Sequence, residues 1–159
     1  MTNPSPAPNP FIQVDPTQTG PRALFAADAA DPRFHIEASL RTAGDETVLS
    51  FIVVAELTDG TRGRVRGHEF FTAMMDHFGD SGVDAIEGQW ETTNAAWATN
   101  LTAFNTLTGT SNVPEEVAAT WVPTGIYAAR RGYTKVTVVK ALPPGARGRY
   151  VDVLVEFRK

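Results

Sequence analysis

From Phe34 onward the apolar residues fall at every second position, with Phe34, Ile36, Ala38 and Leu40 sharing one face of a stretch whose other face is polar. Successive side chains of a strand point to opposite sides of a sheet, so this spacing reads as a half-buried β-strand. Thr42-Ala43-Gly44-Asp45-Glu46 reads as a turn, and Val48 to Leu57 as a longer, more apolar strand suited to a sheet centre. Asp59-Gly60 supplies a second turn and sets Arg62 to Arg66 as a third strand. The expected result is an antiparallel meander.

The period then changes. His68 to Phe78 shows helical spacing, with Phe71, Met74 or Met75, and Phe78 forming one stripe and Gly79 at the cap position. Val83 to Trp90 alternates again and predicts a strand. Thr93 or Asn94 is expected to cap a helix running to about Leu107. Pro114-Glu115-Glu116 suits the first turn of a short helix, and Thr124 caps another that Gly132 stops. Tyr133 to Ala141 and Arg149 to Phe157 are two β-rich runs around Pro143-Pro144-Gly145, a terminal hairpin. The fold class that follows is α+β, one mainly antiparallel sheet (meander plus C-terminal hairpin) with helices packed on it.

Residues 34–159 are expected to form this single domain, and 1–33 a largely extended arm. Asn3 to Pro10 carries proline at every second position and cannot build a ladder or a helix interior. The arm's Phe11, Ile12, Val14, Leu24 and Phe25 are apolar enough for part of it to dock. Met1 to Pro10 has neither a basic n-region nor an apolar h-region, so no signal peptide is expected and the chain reads as cytoplasmic or as a delivered effector. No apolar run approaches the roughly 20 residues that span a bilayer, so no membrane insertion is expected. The absence of cysteine removes disulfides, thiolate chemistry and Cys-ligated zinc.

The net charge of −4 hides an asymmetry. Residues 1–122 hold 16 Asp/Glu against 6 Lys/Arg, a balance of −10, and residues 123–159 hold 8 Lys/Arg against 2 Asp/Glu, a balance of +6. Half of the upstream cations are Arg62, Arg64 and Arg66. In an extended segment these would line one face about 6.6 Å apart, and Gly67 opens a helix whose free N–H groups and dipole also favour anions. Arg62, Arg64, Arg66 and Gly67 are therefore the expected anion-binding set. His68 and Glu69 follow as the candidate acid/base pair, against the plainer reading of Glu69 as a first-turn carboxylate on its helix dipole. Trp90, Asn100, Asn105 and Tyr127 are the candidates for a cleft, because asparagine is a poor interior helix former. No shared metal site is expected, since His68 and His77 fall on roughly opposite sides of the helix, and no G-x-S-x-G, Walker A or kinase pattern is present.

Two resemblances follow from these residues. A meander, an Arg/Gly loop opening a helix, a strand, a helix before Gly-aromatic and a hairpin together resemble the GNAT acetyltransferases over about residues 34–159. Arg64-Val65-Arg66-Gly67-His68-Glu69 is similar to their Q/R-x-x-G-x-G/A signature in its Arg and first Gly, with Glu69 at the position of Gly or Ala; Tyr127 and Gly132-Tyr133 echo the later pattern. That resemblance implies acetyl-CoA as the cofactor, its pyrophosphate on backbone N–H groups, although Glu69 would face a phosphate. The stretches Val83 to Trp90, Asn100 to Asn105, Pro114 to Gly125 and Gly132 to Val136 also resemble the C-terminal toxin domains of polymorphic (Rhs-type) bacterial toxins. This second resemblance implies a delivered effector with an immunity protein as partner.

The functional expectation is a bacterial toxin- or effector-type domain with an Arg-rich, anion-binding edge for a nucleotide, RNA or acyl-CoA type ligand. The alternative is a non-enzymatic protein-binding or adaptor domain. Neither the substrate nor the reaction is set by these residues.

Overall fold

Most elements among the described residues follow the periodicities above. In the computed structural model, which describes residues 9–92 and 98–159, strands β1 (Ile12–Val14), β2 (Ala23–Asp28), β3 (His35–Ala43) and β4 (Glu46–Val54) precede helix α1 (Gly67–Phe78) and a short 3-10 turn at Asp80–Gly82. Strand β5 (Ala85–Glu91), helices α2 (Ala98–Thr108), α3 (Glu115–Trp121) and α4 (Pro123–Arg130), and strands β6 (Lys135–Leu142) and β7 (Asp152–Arg158) complete the chain. The seven strands form one sheet in the order β1-β2-β3-β4-β5-β7-β6. Every neighbouring pair is antiparallel except β4 with β5. This is the α+β architecture that the alternation predicts.

Register explains which face is buried. Ile36, Ala38 and Leu40 stand opposite Val53, Phe51 and Leu49, so two strands present one apolar surface. Helix α1 lays Phe70, Phe71, Met74 and Met75 on that surface, and α2 covers Trp90 with Phe104. The α1 stripe is shifted from the expected one: Phe70 is buried, and Phe78 only packs at the margin. Gly79 takes φ 78 and donates its N–H to the Met75 carbonyl, ending the helix where the cap is expected. Tyr133 is fully buried, its hydroxyl 2.8 Å from the Val83 carbonyl.

Two expectations are corrected. Residues 23–28 are not tether: β2 pairs along β3 and buries Leu24 and Ala26 in the core, so the sheet begins well before Phe34. The proline-rich composition ahead of it masks a short apolar run that gains its stability from β3, not from local propensity. Arg62 to Arg66 is not a strand. The Asp59-Gly60 turn forms, but Glu56 and Arg62 make only an isolated bridge before the chain leaves the sheet. Gly63 lies against the Phe34 ring, where a Cβ would come within 2.7 Å, and Val65 drops into the core. Those two contacts bend the segment, so the meander is β2-β3-β4, and Arg64 turns away to Asp28 while Arg62 and Arg66 line one cavity. The expected Thr93 or Asn94 cap lies outside the described residues.

Candidate functional site

The single parallel pair among the described strands positions a cleft. Strands β4 and β5 share register only over Val48 to Ser50 and Ala85 to Glu87, whereas β3 pairs with β4 as far as Val54 and β5 with β7 as far as Glu91. The carboxyl ends of β4 and β5 therefore part. In open α/β sheets this is the place where ligands enter, between strand ends that diverge and beside the helix that follows. A cavity of about 330 Å³ lies over the carboxyl end of β4, and no β5 residue lines it.

Its walls come from four elements. Strand β4 contributes Phe51 and Val53, and the loop behind it contributes Ala55, Glu56, Arg62 and Arg66. Gly67, His68 and Phe71 belong to the first turns of α1; Thr99 and Asn100 open α2; Pro123, Thr124 and Tyr127 open α4. The mouth is thus basic and polar, and the floor apolar. Glu56 faces Arg62 at 3.6 Å, which leaves Arg66 as the arginine of this wall with no ion pair among the described residues.

Two asparagines that look misplaced on a helix have defined jobs. The Asn100 carboxamide accepts from the Thr124 N–H at 3.0 Å and donates to its hydroxyl at 2.9 Å, so α2 caps α4 through a buried side chain. Asn105 does the same for the hairpin, donating to the Tyr150 carbonyl at 2.9 Å and accepting from its N–H at 2.8 Å. Tyr127 then sits one turn into α4, 5.7 Å from the Phe71 ring and 6.3 Å from His68. Burial raises the Tyr127 phenol above its ordinary value, so the neutral hydroxyl is the form present at physiological pH.

Of the residues singled out in the sequence, Arg62, Arg66, Gly67, His68, Asn100 and Tyr127 meet in this cavity. The others lie elsewhere. Arg64 turns to Asp28 at 2.9 Å, beneath the Phe11 ring at 4.0 Å. Its hydrogen bonds hold the Asp28 carboxyl below the usual aspartate range. Glu69 accepts the Arg66 N–H at 3.0 Å and takes a second bond from the Asn9 carboxamide, so it is the first-turn carboxylate of α1. Trp90 is core, edge-to-face with Phe104, and its buried indole N–H has no partner among the described residues. Asn105 serves the hairpin. His77 lies 2.8 Å from the Gly20 carbonyl, away from His68.

Sequence reasoning missed Glu56, Thr99 and the floor residues Phe51 and Val53. The floor has a signal in retrospect, since 51 and 53 continue the inward alternation of β4 past the point where β5 stops pairing. No helix among the described residues is long and apolar enough to cross a membrane. Compared with protein-family models, curated proteins and solved structures, the chain shows no match.

Proposed function

We propose that this chain is an effector-type domain that holds a phosphate- or carboxylate-bearing ligand in the cavity over the carboxyl end of β4, under the starts of α1, α2 and α4. The observation that carries the reading is the meeting of Arg66, Arg62 and the first turn of α1 around one cavity with an apolar floor. Backbone N–H groups at the start of α1 and a guanidinium without an acid partner both favour a negative head group. An acyl-CoA diphosphate on the GNAT pattern is less favoured than a single head group, because Glu69 already takes the Arg66 N–H and adds a negative charge to the same turn. His68, the Tyr127 hydroxyl and the Glu56 carboxylate are groups of the cavity wall able to exchange a proton with a ligand.

The test is expression in a bacterial cytoplasm, wild type beside Arg66→Ala, with titration of inorganic phosphate into both purified proteins. Growth arrest and phosphate binding by the wild type, both weakened in the variant, are the expected result. Normal growth with soluble, phosphate-binding protein would remove the effector role and leave an anion-binding domain.

One observation favours the adaptor reading. Trp121 is 55% exposed at the end of α3, with Val117 one turn before it at 39%. Exposed tryptophan beside a second apolar side chain is the composition of a protein-binding hot spot. Loss of a copurifying partner in Trp121→Ser, with the cavity intact, is the outcome that would support it.

A further inference from the structure

Resting on the anion site proposed above, we infer that its ligand is an amphipathic anion, a single phosphate or carboxylate head on an apolar alkyl or acyl body. The cationic groups of the lining come from one stretch of chain, and Glu56 offsets one of them, Arg62. Arg62, Arg66 and the first turn of α1 are contributed by residues 62–68. Thr99, Asn100 and Thr124 add only neutral polar groups, and the Asn100 carboxamide is spent on Thr124. They offer no cation for a second head group.

The rest of the lining is largely hydrocarbon. Phe51 and Val53 stand on one face at the end of β4, about 7 Å apart, with Ala55 just past it, and Phe71 from α1 lies beside Phe51. A cavity of about 330 Å³ has room for roughly ten waters at about 30 Å³ each. An inorganic anion at the arginines would leave those waters on the apolar lining. A hydrocarbon body would displace them and gain about 25 cal/mol for each Å² of apolar surface removed from water. The head therefore fixes orientation and the body supplies the greater part of the affinity.

The test is calorimetric titration of the full chain with inorganic phosphate, then methyl, butyl and hexyl phosphate, with hexanoate and heptanoate in parallel. Affinity is expected to rise roughly fourfold for each added methylene, and Arg66→Ala should weaken the whole series. Val53→Asn should flatten the dependence on chain length, with a far-UV circular dichroism spectrum matching wild type showing that the variant is folded. A rising carboxylate series with a flat phosphate series assigns the head as carboxylate and keeps the inference. Equal binding of inorganic, methyl and hexyl phosphate overturns the amphipathic ligand but leaves the anion site. A chain-length effect that persists unchanged in Arg66→Ala overturns it too, since the hydrocarbon would then be binding elsewhere. Binding of none of the phosphates or carboxylates removes the anion site itself, and the inference with it.

Discussion

The chain has two basic segments, and the fold treats them differently. In residues 123–159 three of the eight cations meet a carboxylate where they stand, and two more are tied to the backbone. Arg131 pairs with Asp76 and Asp80, Lys140 with Asp152, and Arg158 with Glu46 and Glu156. Arg147 and Lys159 donate to backbone carbonyls. In the loop 62–66 only Arg64 meets a buried acid, Arg62 has a loose exposed one, and Arg66 has none among the described residues. Charge density along a sequence thus says little about binding. What matters is whether the fold brings a carboxylate to each cation.

Substitutions can break this comparison, and the largest effect is expected at Arg64. Removing it strands the Asp28 carboxylate, only 3% exposed, without its guanidinium. Arg64→Ala should cost about 2–3 kcal/mol in a denaturant titration, or about 4–12 °C in Tm. The same pair predicts a pH dependence. The folded state favours the Asp28 carboxylate, so its contribution is complete above the ordinary aspartate value of about 3.9 and is lost as pH falls below it. In wild type the denaturation midpoint should drop through that window. Arg64→Ala should drop less there, and an identical acid profile would remove Arg64 from its structural role.

Asn100→Ala comes next. It leaves the Thr124 N–H at the start of α4 without an acceptor, a loss of about 1–2 kcal/mol by thermal melting. A larger loss at Asn100 than at Arg64 would mean that α4, not the loop, is the weaker support of the site. Arg66→Ala should move stability by less than about 0.5 kcal/mol, yet weaken phosphate binding at least about tenfold, since a hydrogen bond to a charged group contributes roughly 1.5–3 kcal/mol. Stability and binding falling together would erase the contrast with Arg64. Least of all, Lys140→Ala removes a half-exposed ion pair with Asp152 and should change Tm by no more than about 1–2 °C, with phosphate binding unaltered.

The legibility of the sequence follows the range of the interactions. Ile36, Ala38 and Leu40 announce β3, and Gly79 announces the end of α1, because alternation and capping are set by neighbours a few residues away. Strand β2 was hidden because Ala23 to Asp28 has weak strand propensity and depends on β3 for its pairing. The path of Arg62 to Arg66 was hidden for a similar reason. Phe34, close to Gly63 in space, and Asp28, bonded to Arg64, are each about thirty residues away in the chain. Asn100 and Asn105 could be marked as unusual for a helix, but their partners Thr124 and Tyr150 lie 24 and 45 residues on.

By itself, then, the sequence determined the α+β class, the helix and strand periods, the terminal hairpin and a loop rich in arginine ahead of a helix. The tertiary structure alone decided that β4 and β5 run parallel and part after three residue pairs. It also decided that Arg64 is spent on Asp28 while Arg66 remains at the cavity, and that Tyr127 and Asn100 face the same space. The reason is physical: local periodicity fixes which side of an element is apolar. Which charges are neutralised, and where a cleft opens, depends on contacts between segments that no local pattern records.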